Sequence, residues 1–559
     1  MMLSENKKGM YLMRILKITR LFNGTVKLIA VVVTSGIIFI SQGRAAETHI
    51  VLLTTADMES QLEPFVVKKK TGDTEKICTV GGLNRIAQAV DVIRKENPNR
   101  VLLVSSGDDL MGKYYNLFHG EVTYGVMNAL QYSVVTPGNH EFDYGIGKYV
   151  KAVKEAQFPI IVTNMDFRGT TLFEKIKKYW VTEIDGVRIG FIGLMTPDVR
   201  QITTIEDPIK VDINIFDVAD EYAGYLIHVE NVNIIVALTH IGFDLDLELA
   251  RRVSGIDVIC GGHSHTLLPT DKEVVVNKSV HDKTIIVESG EKSRVLGRLD
   301  LFIDNGKIVR HSWRVIDMDS TYSGDDAVET ITKRFKDKVP QDFTVGKTMC
   351  DLDARRKVIR SQESNLGNFV ADIMRKRFKA DIALINGGAL RGDKVYLKGT
   401  MFNDTMLEFF PFNNTVVNIK LSGAEIKDIL ELGVSEVERY NGRFLHPSGL
   451  KYTYNPGNEP LRLTIDNEGN AVGIKSNGKR VSNVLCKNKK NIYVPLKNNK
   501  LYDVVVGSYM AGGGDSYYML KNKSAIKTYV DLRTVLQQHI NEKKNINPKL
   551  DGRITITHE

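Results

Sequence analysis

From residue 50 to residue 303 the chain repeats one pattern: a short apolar run, a polar stretch, then a segment whose apolar positions recur every three or four residues. The apolar runs cover residues 50–53, 101–104, 134–135, 160–162, 189–192, 234–238, 258–259 and 285–287. Runs this short, bounded by polar residues, predict strands buried on both faces. Between them Leu83, Ile86, Val90 and Ile93 share one helical face, as do Phe216, Ala219, Ala223 and Leu226. Alternating strands and helices predict an α/β layered domain. A charged amphipathic stretch follows at 325–339, with Val328, Ile331, Phe335 and Val339 on one stripe and Pro340 to stop it. It reads as a linker helix at 321–345 between a first domain at 46–320 and a smaller α+β domain at 346–559.

The second part is less regular. A helical pattern over 366–378 follows Ser364-Asn365, and strands are expected at 382–385, 416–421 and 504–506. Ser422 and Glu425 have the spacing of a capping box for a helix ending near Leu432. The last strand runs into Tyr509-Met510-Ala511-Gly512-Gly513-Gly514-Asp515, where glycines permit close backbone approach.

Polar residues cluster where the strands of the first part end. The runs lead into Asp57-Met58-Glu59, Gly107-Asp108-Asp109, Asn139-His140, Thr239-His240 and Gly261-Gly262-His263-Ser264-His265. One such residue is an ordinary cap. Five strand ends bearing Asp, Glu, Asn or His point to a shared crevice, because parallel strands converge there. Asp57, Glu59, Asp108, Asn139, His240, His263 and His265 form an oxygen and nitrogen donor set without thiolate, which suits Mn²⁺, Mg²⁺ or Zn²⁺. They outnumber the ligands of one ion, so two divalent ions sharing a carboxylate are expected, clamping a phosphoryl group attacked in line by a bridging hydroxide. His140 stands ready to protonate the leaving oxygen, and Asp143 to orient its ring.

Charge and composition narrow the class. The net charge of +8 is concentrated at the start: residues 1–45 carry seven basic side chains against Glu5, which leaves the rest near +2. Neither nucleic acid nor an anionic membrane is called for as partner. Basic residues, a mostly apolar run at 28–40 and Gly43-Arg44-Ala45 read as a secretory signal peptide cut after Ala45. The run is short for a membrane span, which needs about 20 residues. An uncleaved anchor is the competing reading and the one route to a stable membrane partner. Cys78, Cys260, Cys350 and Cys486 match neither a zinc motif nor a disulfide framework, and Cys260 ends an apolar run as a core thiol would. The sequence carries no signal for an oligomeric state.

The motifs together resemble a known family. Thr-x-x-Asp at 54–57, Ser-Gly-Asp-Asp at 106–109, Gly-Asn-His-Glu-Phe-Asp-Tyr-Gly at 138–145, Ala-Leu-Thr-His at 237–240 and Gly-Gly-His-Ser-His at 261–265 resemble, in that order, calcineurin-like metallophosphoesterases. Asn365-Leu366-Gly367-Asn368, Asn386-Gly387-Gly388-Ala389-Leu390-Arg391, Pro411-Phe412-x-Asn414 and Gly512-Gly513-Gly514-Asp515 further resemble the exported bacterial 5′-nucleotidase branch. The resemblance implies a four-layer β-sandwich flanked by helices and carrying two metals. Asp108 would bridge them, with Asp57 and His265 on one ion, and Asn139, His240 and His263 on the other. His140 and Asp143 would form the catalytic dyad. In the second domain Phe412 and Tyr509 would sandwich a nucleotide base, Arg356, Arg360 and Arg391 would contact phosphate or carboxyl-like groups, and Asn386, Asn414, Gly449 and Asp515 would bond base or ribose. The implied activity is release of phosphate from 5′-nucleotides in the periplasm or cell envelope.

One position departs from the pattern. The family usually has Asp-x-His at the first strand end, and this chain has Asp57-Met58-Glu59. Glu59 suits Mn²⁺ or Mg²⁺ and adds a negative charge. The resemblance leaves a 2′,3′-cyclic nucleotide 2′-phosphodiesterase with 3′-nucleotidase activity as one alternative to the 5′-nucleotidase, and the departure at Glu59 leaves a nucleotide-binding protein with a decayed metal site as another.

Overall fold

Each apolar run expected to be a strand between residues 50 and 287 lies in one, apart from Val162 just beyond Ile160–Ile161, and the computed structural model arranges these strands into two sheets. It describes residues 47–558 apart from 72–73, 280–281, 340–342, 413, 522 and 524; the leader expected at 1–45 lies outside these residues. The first sheet has the order Lys307–Asp317, Val295–Asp304, Thr48–Thr55, Val101–Ser105, Val134–Val135, Ile160–Ile161, Ile176–Lys177. The second has the order Val274–Ser279, Asp282–Glu288, Val258–Gly261, Ile234–His240, Val187–Met195, Tyr179–Ile184. From Thr48–Thr55 to Ile176–Lys177 neighbours in the first sheet are parallel, as are the four strands from Asp282–Glu288 to Val187–Met195 in the second. Their C-terminal ends therefore share an edge within each sheet. Thr48–Thr55 is closed on its other side by Val295–Asp304, antiparallel, with Thr48 opposite Ile303.

The continuous apolar runs have a physical cause. Successive strand residues point to opposite faces, and here both faces are covered. Ile50, Leu52, Leu102 and Val104 of the first sheet share a core with Phe191, Val236, Leu238 and Val258 of the second. Val51, Leu53 and Leu103 turn the other way, against Leu83, Ile86, Val90 and Ile93. Ile192, Leu194, Ile235 and Ala237 pack against Ala219, Ala223 and Leu226. The order is helix, sheet, sheet, helix, the four layers expected. Cys260 is a buried thiol in the inner core, and all four cysteines are free.

The amphipathic stretch at 325–339 is helical over Asp326–Lys336, with the Asp325 side chain accepting from Ala327 N and Val328 N. It is more than a spacer. Val328 and Phe335 join the core on the outer face of the first sheet, and Phe335 meets the Phe118 ring edge-on at 5.0 Å.

The following part is built on a five-stranded sheet, ordered Leu445–Ser448, Ile382–Asn386, Leu501–Gly507, Thr415–Ser422, Ala525–Asp531. Ala383, Ile385 and Val505 pack with Phe369, Val370, Val535 and Leu536 of helices Asn365–Arg377 and Leu532–Lys543. Ile382, Leu384, Val504 and Val506 face helix Gly423–Gly433 and a four-stranded sheet. The capping box forms as read: Ser422 accepts from Glu425 N, and the Glu425 carboxylate accepts from Ser422 N at 2.7 Å. Among the described residues no helix is long and apolar enough to cross a membrane.

Candidate functional site

The strand ends meet because their loops are stitched together. Asp57 N donates to Gly107 O at 2.8 Å, Ser106 Oγ to Cys260 O at 2.7 Å, and His263 N to Asp57 Oδ2 at 3.0 Å, which ties the two sheets edge to edge. The buried Glu141 carboxylate accepts from Gly138 N at 2.8 Å, Asp109 N at 2.8 Å and Leu110 N at 3.1 Å, locking two loops into one body. Gly138 allows the closest approach: a Cβ there would lie 2.3 Å from Asp108 Oδ1 and 2.6 Å from His240 Nε2.

Five of the seven candidate ligands have left-handed backbone: Asp57 (φ 49°), Glu59 (51°), Asp108 (53°), His263 (76°) and His265 (57°). Such a conformation costs a non-glycine residue roughly 1–3 kcal/mol and persists only where the surroundings impose it, which is typical of functional sites.

The side chains fall into two adjoining groups. In the first, Asp108, His240 and His263 each bring one donor atom to within 4.8 Å of the others. His240 Nε2 is 3.1 Å from Asp108 Oδ2 and 3.3 Å from His263 Nδ1, while its Nδ1 is fixed on Ser106 O at 2.7 Å. Asn139 Oδ1 is buried beside them with no hydrogen-bond partner among the described residues. In the second, Glu59, His265 and Glu291 meet the same 4.8 Å limit. His265 Nδ1 lies 2.7 Å from Glu291 Oε2 and its Nε2 lies 3.5 Å from Asp57 Oδ1. This convergence of acceptor oxygens and imidazoles, with a buried amide oxygen left unbonded, fits divalent cations by donor chemistry.

The charges act strongly on one another. Burial works against the Asp108 carboxylate, yet His240 and His140 hold it well below the ordinary range. Burial likewise opposes the His240 imidazolium, and Asp108 overrides it, raising His240 to about 10. Asp57 is pushed up to about 6 by burial, His265 opposing. His263 falls well below its usual value through burial and the His240 charge. Glu291, although buried, is kept well below the carboxylate range by Lys292 and His265.

His140 and Asp143 form a dyad at the edge of the first group. His140 Nδ1 is 2.6 Å from Asp143 Oδ2, Thr203 Oγ1 donates to Asp143 Oδ1 at 3.0 Å, and His140 Nε2 stands 3.8 Å from Asp108 Oδ2. Burial would lower the imidazole pKa, but Asp143 and Asp108 raise it above its usual value.

The later sheet supplies the facing wall. Phe412 stacks on His140 at 6.2 Å between centroids, and the Arg391 guanidinium lies 5.2 Å from the Phe412 ring centre. Arg391 Nε donates to Gly388 O at 2.9 Å. Arg356 reaches across to the His265 loop, its Nη1 donating to Ser264 O at 3.0 Å. Arg360 is buried, bonds Tyr440 O at 3.3 Å, and is lowered well below its usual value by burial and by Arg356 and Arg391. Asn386 Nδ2 donates to Asp515 Oδ2 at 2.6 Å, and Tyr509 Oη lies 3.4 Å from Asp515 Oδ1 and donates to Gln201 O at 3.2 Å. Gly514 is required here, since a Cβ would sit 2.4 Å from the Tyr509 ring.

Two expected residues stand differently. Gly449 is not brought to this wall. Its strand pairs Leu445 with Asn386 and Ser448 with Ala383, so Gly449 follows at the opposite end, where a Cβ would lie 2.2 Å from Asp381 O. The glycines lying against Asp515 are Gly388 and Gly442, 3.1 Å and 3.4 Å from Oδ2 by the same measure. Asn414 accepts from Ser508 Oγ at 3.5 Å and so adjoins Tyr509 through the chain. The two aromatic residues read as a pair have separate neighbours: Phe412 packs on His140, and Tyr509 on the Gly514-Asp515 turn.

Glu291 and Lys292 lie outside the donor set expected from the sequence, although strand Asp282–Glu288 ends in Glu288-Ser289-Gly290-Glu291-Lys292, a sixth polar strand end obeying the same rule. Glu141 was visible only as part of a motif. Gln201 and Thr203 carry no sequence signal.

Two family models match the chain: "Calcineurin-like phosphoesterase" over residues 51–267 and "5'-nucleotidase, C-terminal domain" over residues 344–522. The solved 5′-nucleotidase precursor of Thermus thermophilus is similar at a TM-score of 0.83 and 30% identity, over 92% of this chain and 100% of that one. The trifunctional nucleotide phosphoesterase protein YfkN of Bacillus subtilis is 30% identical over 509 residues, which is 83% of this chain; the chain spans 33% of that relative's length. The 5′-nucleotidase of Rattus norvegicus is 28% identical over 551 residues, covering 92% of this chain and 91% of that protein.

Proposed function

Since the chain belongs to the calcineurin-like metallophosphoesterases that carry a 5′-nucleotidase C-terminal domain, and is thus a metal-dependent phosphoesterase, we propose that it is exported and releases phosphate from 5′-nucleotides. The observation that carries this reading is the contact between the two walls. The imidazole with a carboxylate on Nδ1, His140, is the ring on which Phe412 stacks. A base on Phe412 and a phosphoryl group beside His140 Nε2 are the two ends of one nucleotide.

Asp108, Asn139, His240 and His263 would hold one cation, and Asp57, Glu59 and His265 a second, with Asp108 between them. Bound divalent cations would supply Lewis-acid polarisation of the phosphoryl group and an activated water. The residues do the rest. Asp143 holds the His140 ring with Nε2 free, and the raised pKa of His140 keeps a proton there for the leaving oxygen. Arg356 and Arg391 offer planar guanidinium donors to phosphate oxygens. Phe412 grips any base by its face, giving affinity with little base selectivity. Asn386 and Asp515, already bonded to each other, present a fixed polar edge to the sugar or base.

The test is phosphate release from AMP by the full chain, metal-stripped and then supplied with Mn²⁺, Mg²⁺ or Zn²⁺, beside 2′,3′-cyclic AMP and a generic phosphate ester. Metal-dependent turnover of AMP is expected. Turnover mainly of the cyclic substrate, or tight AMP binding without turnover, overturns the assignment. Export is tested separately: the N-terminus of the protein recovered from the cell envelope should begin at Ala46.

A further inference from the structure

Glu59 puts an acidic side chain at a strand end where a family relative would have a neutral imidazole. The structure sets a cation against it. Lys292 Nζ lies 3.7 Å from Glu59 Oε2 and 3.9 Å from Glu291 Oε2. Its third contact is a hydrogen bond to Gly392 O, 2.7 Å away on the facing wall. The residue is 7% exposed. A buried ammonium is costly unless it is paired and hydrogen-bonded, and here it is both.

Its position is fixed from the backbone. Lys292 N donates to Asp57 O at 2.8 Å, and Lys292 and the following Ser293 both have left-handed backbone, with φ of 54° and 51°. The loop is thus bent to bring this lysine to the second ligand group. The neighbouring charges are Arg294, whose Nη1 is 3.5 Å from Glu291 Oε1, and Asp393, which faces Lys292 across the wall. The Lys292 ammonium, in contact with two of the three donors Glu59, His265 and Glu291, opposes a divalent cation there. The Asp108, His240 and His263 group has no lysine or arginine ion pair among the described residues.

We propose that Lys292 is the resident counter-cation of Glu59 and Glu291, and that it makes the position at Glu59 and His265 the weaker of the two divalent-cation positions, filled only when the ammonium yields Glu59. This rests on the two cation positions assigned above. A metal in this second position and the ammonium share the Glu59 carboxylate, so occupancy of one excludes full contact by the other.

The test is a titration of the metal-stripped full chain with Mn²⁺, reading free Mn²⁺ by electron paramagnetic resonance. Wild type should show one tight and one weak equivalent, with dissociation constants at least tenfold apart. Lys292→Met should tighten the weak equivalent at least tenfold and leave the tight one unchanged, while Lys292→Arg should keep the asymmetry. If Lys292→Met does not fold, Lys292→Gln, which retains a donor for Gly392 O, carries the same expectation. Two equally tight equivalents in wild type, or a weak equivalent indifferent to the lysine, overturns the proposal and leaves the two-cation reading standing. Absence of any bound Mn²⁺ in wild type overturns the two-cation reading itself.

Discussion

The strand-end cluster of the first half and the polar wall of the second half treat their side chains in opposite ways. In the cluster carboxylates crowd together, Asp57 held by His263 N, Asp108 by His240 and Glu59 by Lys292, and Asn139 Oδ1 is left buried with no hydrogen-bond partner among the described residues. In the wall the neutral groups are already paired, Asn386 with Asp515 and Tyr509 with Asp515 and Gln201, and Arg391 holds Gly388 O, while Arg356 Nε and Arg360 Nε are buried without an acceptor among the described residues. A cluster of crowded carboxylates with a spare amide oxygen draws cations and concentrates chemistry. A wall whose neutral groups are paired keeps its shape without a ligand, and its spare guanidinium donors suit recognition of an anion. Removing a residue from the cluster should therefore abolish catalysis, and removing one from the wall should alter which substrate is preferred.

The largest effect is expected from Asp108→Ala, which takes away the carboxylate shared by His140 and His240. Bound metal, measured by elemental analysis, and phosphate release should be lost together; a variant that keeps either would place the wrong residue at the centre. Next comes His140→Ala, expected to lower kcat by about 10²–10⁴ at unchanged metal content. A further drop in metal content would make His140 a ligand rather than a proton donor. Phe412→Ala should raise KM for AMP by roughly 5- to 150-fold, the range that corresponds to about 1–3 kcal/mol of base stacking, while sparing a generic phosphate ester. Equal losses on both substrates would erase the distinction between cluster and wall.

The smallest effect concerns stability within the second half. His446 is buried, its Nε2 donates to Ile359 O at 2.8 Å, and burial lowers it to about 4. Between pH 4 and 6.5 the unfolded chain carries a proton on this residue that the folded chain refuses. Stability is then complete above the unfolded value and is lost as pH falls toward 4, by about 3 kcal/mol. Thermal melts across that range should show a shallower acid slope for His446→Gln than for wild type. Parallel slopes would mean that His446 ionises freely in the fold.

Much of the first half was legible because one physical rule writes it. A strand covered on both faces reads as an unbroken apolar run, and the polar residues that interrupt it mark the sheet edge where ligands gather. Asp57, Asp108, His240 and His263 follow from that rule, and Glu291 would have followed had it been applied to the run at 285–287. What the rule cannot give is the left-handed backbone of Asp57, Asp108 and His265, since no residue there is glycine and the strain is imposed by partners more than 100 residues away or in another loop. In the second half the functional side chains sit on short turns. Their partners are backbone atoms such as Gln201 O and Ser264 O, which no pattern announces. Gly449 shows the limit: a glycine in the right stretch, with a positive φ of 75°, serves a tight approach to Asp381 O at the far end of its strand.

The pairing of Thr48–Thr55 with Val295–Asp304 also sets an order of events. The strand that leads to Asp57 is among the earliest of the described residues to leave the ribosome, and the neighbour that closes its free edge comes some 250 residues later, as Thr48 opposite Ile303 shows. Contacts this distant in sequence form late, because the loop between them must be closed first. Until then Thr48–Thr55 can pair only on the side of Val101–Ser105, leaving a row of open backbone groups that invites wrong partners. A nascent chain of this protein is thus committed to carrying an unfinished sheet for most of the synthesis of its first half.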